Sequence, residues 1–114
     1  MTFLDWKSYR SALMARINDF SKLSPDSVTG YLTTMGAGTK TGHLDEKTRQ
    51  LISLAVAVTT RCDGCISDHA QLAVDAGASK EQIAEALGVA MAMNAGAALV
   101  YSVRALDAVE QAQK

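Results

Sequence analysis

Both cysteines of the chain and one of its two histidines fall within a single stretch, RCDGCISDH, Arg61 to His69. If a helix begins near Cys62, then Cys62 and Cys65 are one turn apart at i,i+3, and Cys65 and His69 are one turn apart at i,i+4, so the three side chains share a face. At i,i+3 the Cβ atoms lie about 5–6 Å apart, a separation that a small adjustment of a first helical turn brings within disulfide reach. A thiolate is the reactive form of cysteine. It is favoured by the unpaired N–H groups of a helix N-terminus and by an imidazole able to take its proton. Arg61 adds positive potential nearby. The stretch therefore holds two thiols, a means of lowering one pKa, and a base.

Other readings of the same residues stay open at this level. Free cysteine is among the most buried residue types, so both could be small core hydrophobes. A structural zinc site needs four ligands, whereas Cys62, Cys65 and His69 make three and His43 stands in a distant loop. A thioredoxin-like use of CxxC would require a βαβ unit, and the chain reads as having no strands.

The elements that must position these residues follow from periodicity and capping. Phe3, Trp6, Tyr9/Arg10, Leu13, Ile17 and Phe20 recur at steps of three and four, which predicts an amphipathic helix to about Leu23. Ser24-Pro25 has the form of an N-cap and a proline at the first helical position, so a short second helix is expected over Asp26 to Met35. Gly36 to Gly42 reads as loop. Asp45 caps a third helix, EKTRQLISLAVAVTTR, whose second half is apolar all round and is expected to be central and fully buried. A fourth helix runs from the cysteines to Gly77, a residue suited to a left-handed exit. Ser79 and Gln82 form a capping box for a fifth, with Ile83, Leu87, Ala90 and Met91 on one face. Asn94-Ala95-Gly96 reads as a break before a sixth helix striped by Leu99, Val100, Val103, Leu106 and Val109. The expected fold is all-α, a single domain over residues 1–114 made of about six helices.

With 114 residues, of which 48% are hydrophobic, the chain is long enough to bury a core without disulfide staples. The formal charge of -1 and the lack of a basic block argue against nucleic acid as a partner. The N-terminus has no signal-peptide pattern, and apolar runs such as Leu54 to Val58 are far too short to cross a bilayer, so no membrane is expected and the location reads as cytoplasmic. In a reducing cytosol a CxxC pair points to catalysis, redox sensing or metal binding rather than a permanent staple. Met91, Met93, Trp6, Tyr9, Tyr31 and Tyr101 read as packing residues, and His43 as solvated. Apolar stripes on several helices of so small a chain leave surface over for subunit contacts.

CxxCxxxH in an all-helical chain, preceded by LDEKT and followed by AGAS and EQIAEAL, resembles the carboxymuconolactone decarboxylase / alkylhydroperoxidase-D (AhpD-like) family. The similarity runs from Leu44 to Ala90 and continues into ALVYSVRALDAVE. The resemblance implies an all-helical fold, assembly into trimers or hexamers, and thiol-dependent reduction of hydroperoxides. It implies Cys65 as the peroxidatic cysteine, Cys62 as the resolving one and His69 as the proton-relay base, with no cofactor or metal. A separate thioredoxin-like or lipoyl-bearing protein would restore the dithiol.

The chain departs from the family pattern at Gln50, where a relay glutamate usually stands twelve residues before the first cysteine. An amide can orient an imidazole but carries no charge with which to stabilise an imidazolium. Glu46, one turn earlier, or Glu85 on the fifth helix is a candidate substitute. Gly64 stands where some members have a second histidine. Two further functions belong to the same reading: lactone decarboxylation, which does not require a CxxC pair, and a redox-sensing module whose dithiol switches without turnover.

Overall fold

Asp5, Ser24, Asp45, Cys62 and Ser79 each stand immediately before a helix, and four of the five place a side-chain acceptor on a backbone N–H of the first turn. The computed structural model describes all 114 residues and contains five helices and no strand. They are α1 (Trp6–Leu23), α2 (Pro25–Thr41), α3 (Glu46–Thr59), α4 (Asp63–Asp75) and α5 (Lys80–Ala112). The all-α expectation holds. So do the caps at Asp45 and Ser79, the latter with both hydrogen bonds of its box in place.

Two boundaries differ from the sequence reading, both because local breakers are overridden. The Gly-Thr-Ala-Lys stretch expected to be loop is instead the second half of α2, which ends only at Gly42 in the left-handed conformation, φ 70°. Glycine inside a helix costs about 1 kcal/mol and does not prevent one. Here Thr33, Thr34 and Thr41 also return their hydroxyls to carbonyls in the preceding turn. The expected break at Asn94-Ala95-Gly96 is absent. Asn94 donates from Nδ2 to the Ala90 carbonyl and to Thr59 Oγ1 on α3, so the residue expected to end the helix joins it to its neighbour. The expected fifth and sixth helices are thus one helix of 33 residues, and the count is five.

The helices pack in sequence around α3 and α4: α3 against α4 and α5, and α1 against α2 and α4. Arg10 ties α1 to α4 through an ion pair with Asp68, Nε to Oδ1 at 2.9 Å. α3 is central, but it is not fully buried. Leu54 and Ala57 are covered, whereas Ile52 and Val56 are about half exposed because the chain places no element on that side. Met91, expected to share the packed face of α5, is exposed as well.

Only seven residues are buried, and the radius of gyration is 18.5 Å. A compact chain of this length would have about 13 Å. The difference lies largely in α5, which at 1.5 Å per residue is about 50 Å long and carries its second half beyond the rest of the chain. Leu99, Val100, Val103, Leu106 and Val109, the stripe seen in the sequence, are all more than half exposed. By length and composition alone, α5 is also apolar enough to cross a membrane.

The turns that close α3 and α4 share one design. Arg61 N–H bonds to Val58 O and Cys62 N–H to Ala57 O, just as Gly77 N–H bonds to Val74 O and Ala78 N–H to Ala73 O. This is the paired pattern in which the residue after the helix turns left-handed. Gly77 does so at φ 83°, whereas Arg61 does so at φ 54° with a side chain attached. A side chain in that conformation costs about 1–2 kcal/mol, while glycine brings about 0.5–1 kcal/mol of extra unfolded-state freedom. Arg61→Gly should therefore stabilise the chain by up to about 1 kcal/mol. An unchanged or lower denaturant midpoint would show that the arginine side chain contributes as much as its backbone costs.

Candidate functional site

The turn at Arg61 delivers Cys62 directly to the N-cap of α4. Its Sγ accepts a hydrogen bond from Cys65 N–H at 3.1 Å, where serine or aspartate usually serves. The structure holds the two cysteines as a disulfide, with Cα atoms 5.2 Å apart. The spacing read from the sequence thus does place both sulfurs in one turn, at the end of the helix where the backbone dipole favours negative charge.

His69, one turn further along α4, is buried at 5% exposure. A buried imidazole needs a partner, and it has one on α3: Nδ1 lies 2.7 Å from Oε1 of Gln50, itself 7% exposed. Gln50 Nε2 donates to Glu46 Oε1 at 2.7 Å, and Arg49 Nη2 donates to Glu46 Oε2 at 2.7 Å. The other end of the same guanidinium, Nη1, reaches the carbonyls of Gly38 and Leu44, anchoring it to the end of α2 and the following turn. The hydrogen bond from Arg49, and then that from Gln50, hold the Glu46 carboxyl below the usual carboxylate range.

Of the two candidate substitutes for a relay carboxylate, the structure brings Glu46 into the network, though through Gln50 and not directly onto His69. Glu85 is exposed on α5 and makes no side-chain hydrogen bond or ion pair. His43 is exposed in the turn between α2 and α3. At Gly64 a Cβ would lie 2.7 Å from Leu13 Cδ2, so α1 occupies the space a side chain would need. Trp6 lines an open groove of about 370 Å³ with Ile66, Ala70 and Val74, to which neither cysteine nor His69 contributes.

Arg49 was not singled out in the sequence. The available signal was its i,i+3 spacing from Glu46, a pairing common enough on helices to look like surface decoration. The Arg10 contact with Asp68 was equally hidden, because it joins residues 58 positions apart.

Comparison with known proteins agrees with the fold. The model of the carboxymuconolactone decarboxylase family matches residues 25–108, from the first residue of α2 into the last turns of α5. An uncharacterized protein of Haemophilus influenzae is 49% identical over 106 residues, covering 93% of this chain and 94% of its own length. A second uncharacterized protein, from the cox locus of Paracoccus denitrificans, is 46% identical over 70 residues, 61% of this chain and 63% of that one. The crystal structure of an apo carboxymuconolactone decarboxylase family protein from Legionella pneumophila superposes with a TM-score of 0.72 at 37% identity, covering 96% of this chain and 97% of the other. With the helical fold, the matched span and these relatives in agreement, the chain belongs to the carboxymuconolactone decarboxylase family.

Proposed function

We propose that the chain is a thiol-dependent peroxidase or disulfide reductase of the AhpD-like kind, cycling between the Cys62–Cys65 disulfide and the dithiol. The observation that carries this reading is the disulfide at the N-terminus of α4 with a buried, hydrogen-bonded His69 one turn behind it. Lactone decarboxylation, the activity in the family's name, has no use for such a pair.

In the proposed cycle His69 takes the proton of Cys65, and the Cys65 thiolate attacks the outer oxygen of a hydroperoxide. The O–O bond breaks, an S–O bond forms, and the leaving alkoxide takes the proton from His69 as an alcohol, leaving a sulfenic acid on Cys65. Cys62 then attacks that sulfur and water leaves, closing the disulfide. The N-cap position favours Cys62 as the attacking thiolate, because Cys65 N–H already points at its sulfur. An external dithiol, thioredoxin-like or lipoyl-borne, returns two electrons and two protons by thiol–disulfide exchange. A cytoplasmic setting, where such donors are kept reduced, suits this cycle. Neither metal nor cofactor has a part in it.

The proposed assembly is a homo-oligomer, a trimer or hexamer, with the second half of α5 at the subunit contact. Its support is the exposed Leu99, Val103 and Leu106 stripe on a helix that outruns its own chain. Buried apolar surface contributes about 25 cal/mol per Å², and a single chain leaves most of this stripe in water. The first half of α5 packs on α3, which favours a subunit contact over a bilayer for the remainder.

Treating the reduced protein with one equivalent of hydroperoxide should close the disulfide in wild type and trap a sulfenic acid on Cys65 in Cys62→Ser, read by intact mass and peptide mapping. Thiols inert in wild type, Cys62→Ser and Cys65→Ser would overturn the peroxidase. A closed bridge without continued peroxide consumption, when a recycling dithiol is supplied, would leave a redox switch. His69→Ala should slow oxidation of Cys65 by about 10²–10⁴-fold, the usual contribution of a positioned acid–base group. Sedimentation should give a particle of at least three chains that Val103→Glu breaks down. A monomeric wild type would overturn the assembly.

A further inference from the structure

The hydrogen bonds behind His69 form a chain whose direction is set at its far end. A guanidinium has only donors, and a carboxylate has only acceptors. Arg49 gives one hydrogen bond to Glu46 Oε2, and Glu46 has its Oε1 left for Gln50. Gln50 must then turn its amide nitrogen to Glu46, which leaves the amide oxygen facing His69 Nδ1. An amide oxygen accepts and cannot donate. Nδ1 therefore carries the proton, and in the neutral ring the lone pair falls on Nε2.

We propose that Arg49, Glu46 and Gln50 are positioning residues that lock His69 in its Nδ1–H tautomer, so that Nε2 is the atom free to take a proton. The use of that atom as the base for Cys65 rests on the peroxidase reading; the tautomer does not. In this arrangement the carboxylate stands one helical turn behind the position that would touch the imidazole, and the amide passes on its polarity without its charge. The amide itself carries no charge, and the Glu46 carboxylate behind it is half exposed, so its field is screened. The charged pair that joins α1 to α4, Arg10 with Asp68, adds no hydrogen bond to this chain. Gly38 belongs to the device as well: its carbonyl accepts from Arg49, and a Cβ there would meet Arg49 Cδ at 3.0 Å.

The proposal makes an unusual demand of one isosteric substitution. In Glu46→Gln the new amide must give its oxygen to the donor-only Arg49 and therefore its nitrogen to Gln50. Gln50 would then have to present its oxygen, turning its own nitrogen toward His69, where Nδ1 must accept. The Arg49 bond keeps its direction, both hydrogen bonds beyond it reverse, and the proton moves to Nε2. Restoring a carboxylate nearer the ring in the double variant Glu46→Gln, Gln50→Glu should return the proton to Nδ1, because a carboxylate accepts from both sides. Neither substitution removes volume, and the Glu46 side chain is half exposed, so the core is left intact.

Nitrogen-15 NMR of histidine-labelled protein at neutral pH reads the tautomer directly. The expected series is Nδ1–H in wild type, Nε2–H in Glu46→Gln, and Nδ1–H again in the double variant. A wild-type Nε2–H tautomer, or Nδ1–H persisting in Glu46→Gln, would overturn the relay. Oxidation of Cys65 measured on the same samples should slow by about 10–100-fold in Glu46→Gln, the usual effect of losing an orienting partner. If the tautomer reverses and that rate does not change, the relay stands, and it is the role of His69 as the base that falls.

Discussion

A buried hydrogen bond between His69 and Gln50 is the constraint around which the centre of the molecule is arranged. Neither side chain could be placed inside without the other, since an unpartnered buried polar group costs about 1–3 kcal/mol. Every buried side-chain nitrogen and oxygen in the chain has a partner, so this contact belongs to a fully satisfied interior. Because His69 lies on α4 and Gln50 on α3, the bond fixes the rotation of one helix against the other. Cys65, one turn before His69 on the same helix, is oriented by the same bond.

The junction between α3 and α4 is the second half of that arrangement. A three-residue turn closes one helix and opens the next, and Cys62 serves both ends of it: its N–H bonds back to Ala57 O and its sulfur caps α4. A sulfur placed on so constrained a backbone loses little freedom when it closes a ring with its neighbour, which suits the proposed cycle. The left-handed Arg61 is the local cost of the turn, set where glycine serves the equivalent place after α4.

Around this centre the single chain is thinly covered. The buried apolar residues of α3, α4 and α5 are mostly small, Ala57, Ala73 and Ala90 beside Leu54. Alanines allow helices to approach closely but bury little apolar area each, so the packing of one chain contributes modestly to stability. The larger apolar side chains, from Ile52 and Val56 on α3 to the stripe of α5, point outward. In the proposed assembly stability and the site are then linked, since a subunit on those faces would also hold α3, and with it Gln50, in place.

By itself the sequence determined the helical class, the caps at Asp45 and Ser79, the left-handed exit at Gly77, and the clustering of Cys62, Cys65 and His69 on one face of a helix. These are consequences of spacing and of interactions reaching no further than four residues, which a linear pattern records faithfully. The family followed from the same local patterns. Tertiary structure alone decided what lies behind His69. Gln50 read as the loss of a carboxylate with Glu46 or Glu85 as the candidate substitute, and the fold decided for Glu46, with Arg49 behind it held by carbonyls at the end of α2 and in the following turn. It also decided that Asn94 continues a helix instead of ending one, because its partner is Thr59, 35 residues earlier. The direction of a hydrogen bond depends on which donor faces which acceptor across elements far apart in sequence, and no periodicity within one element encodes that.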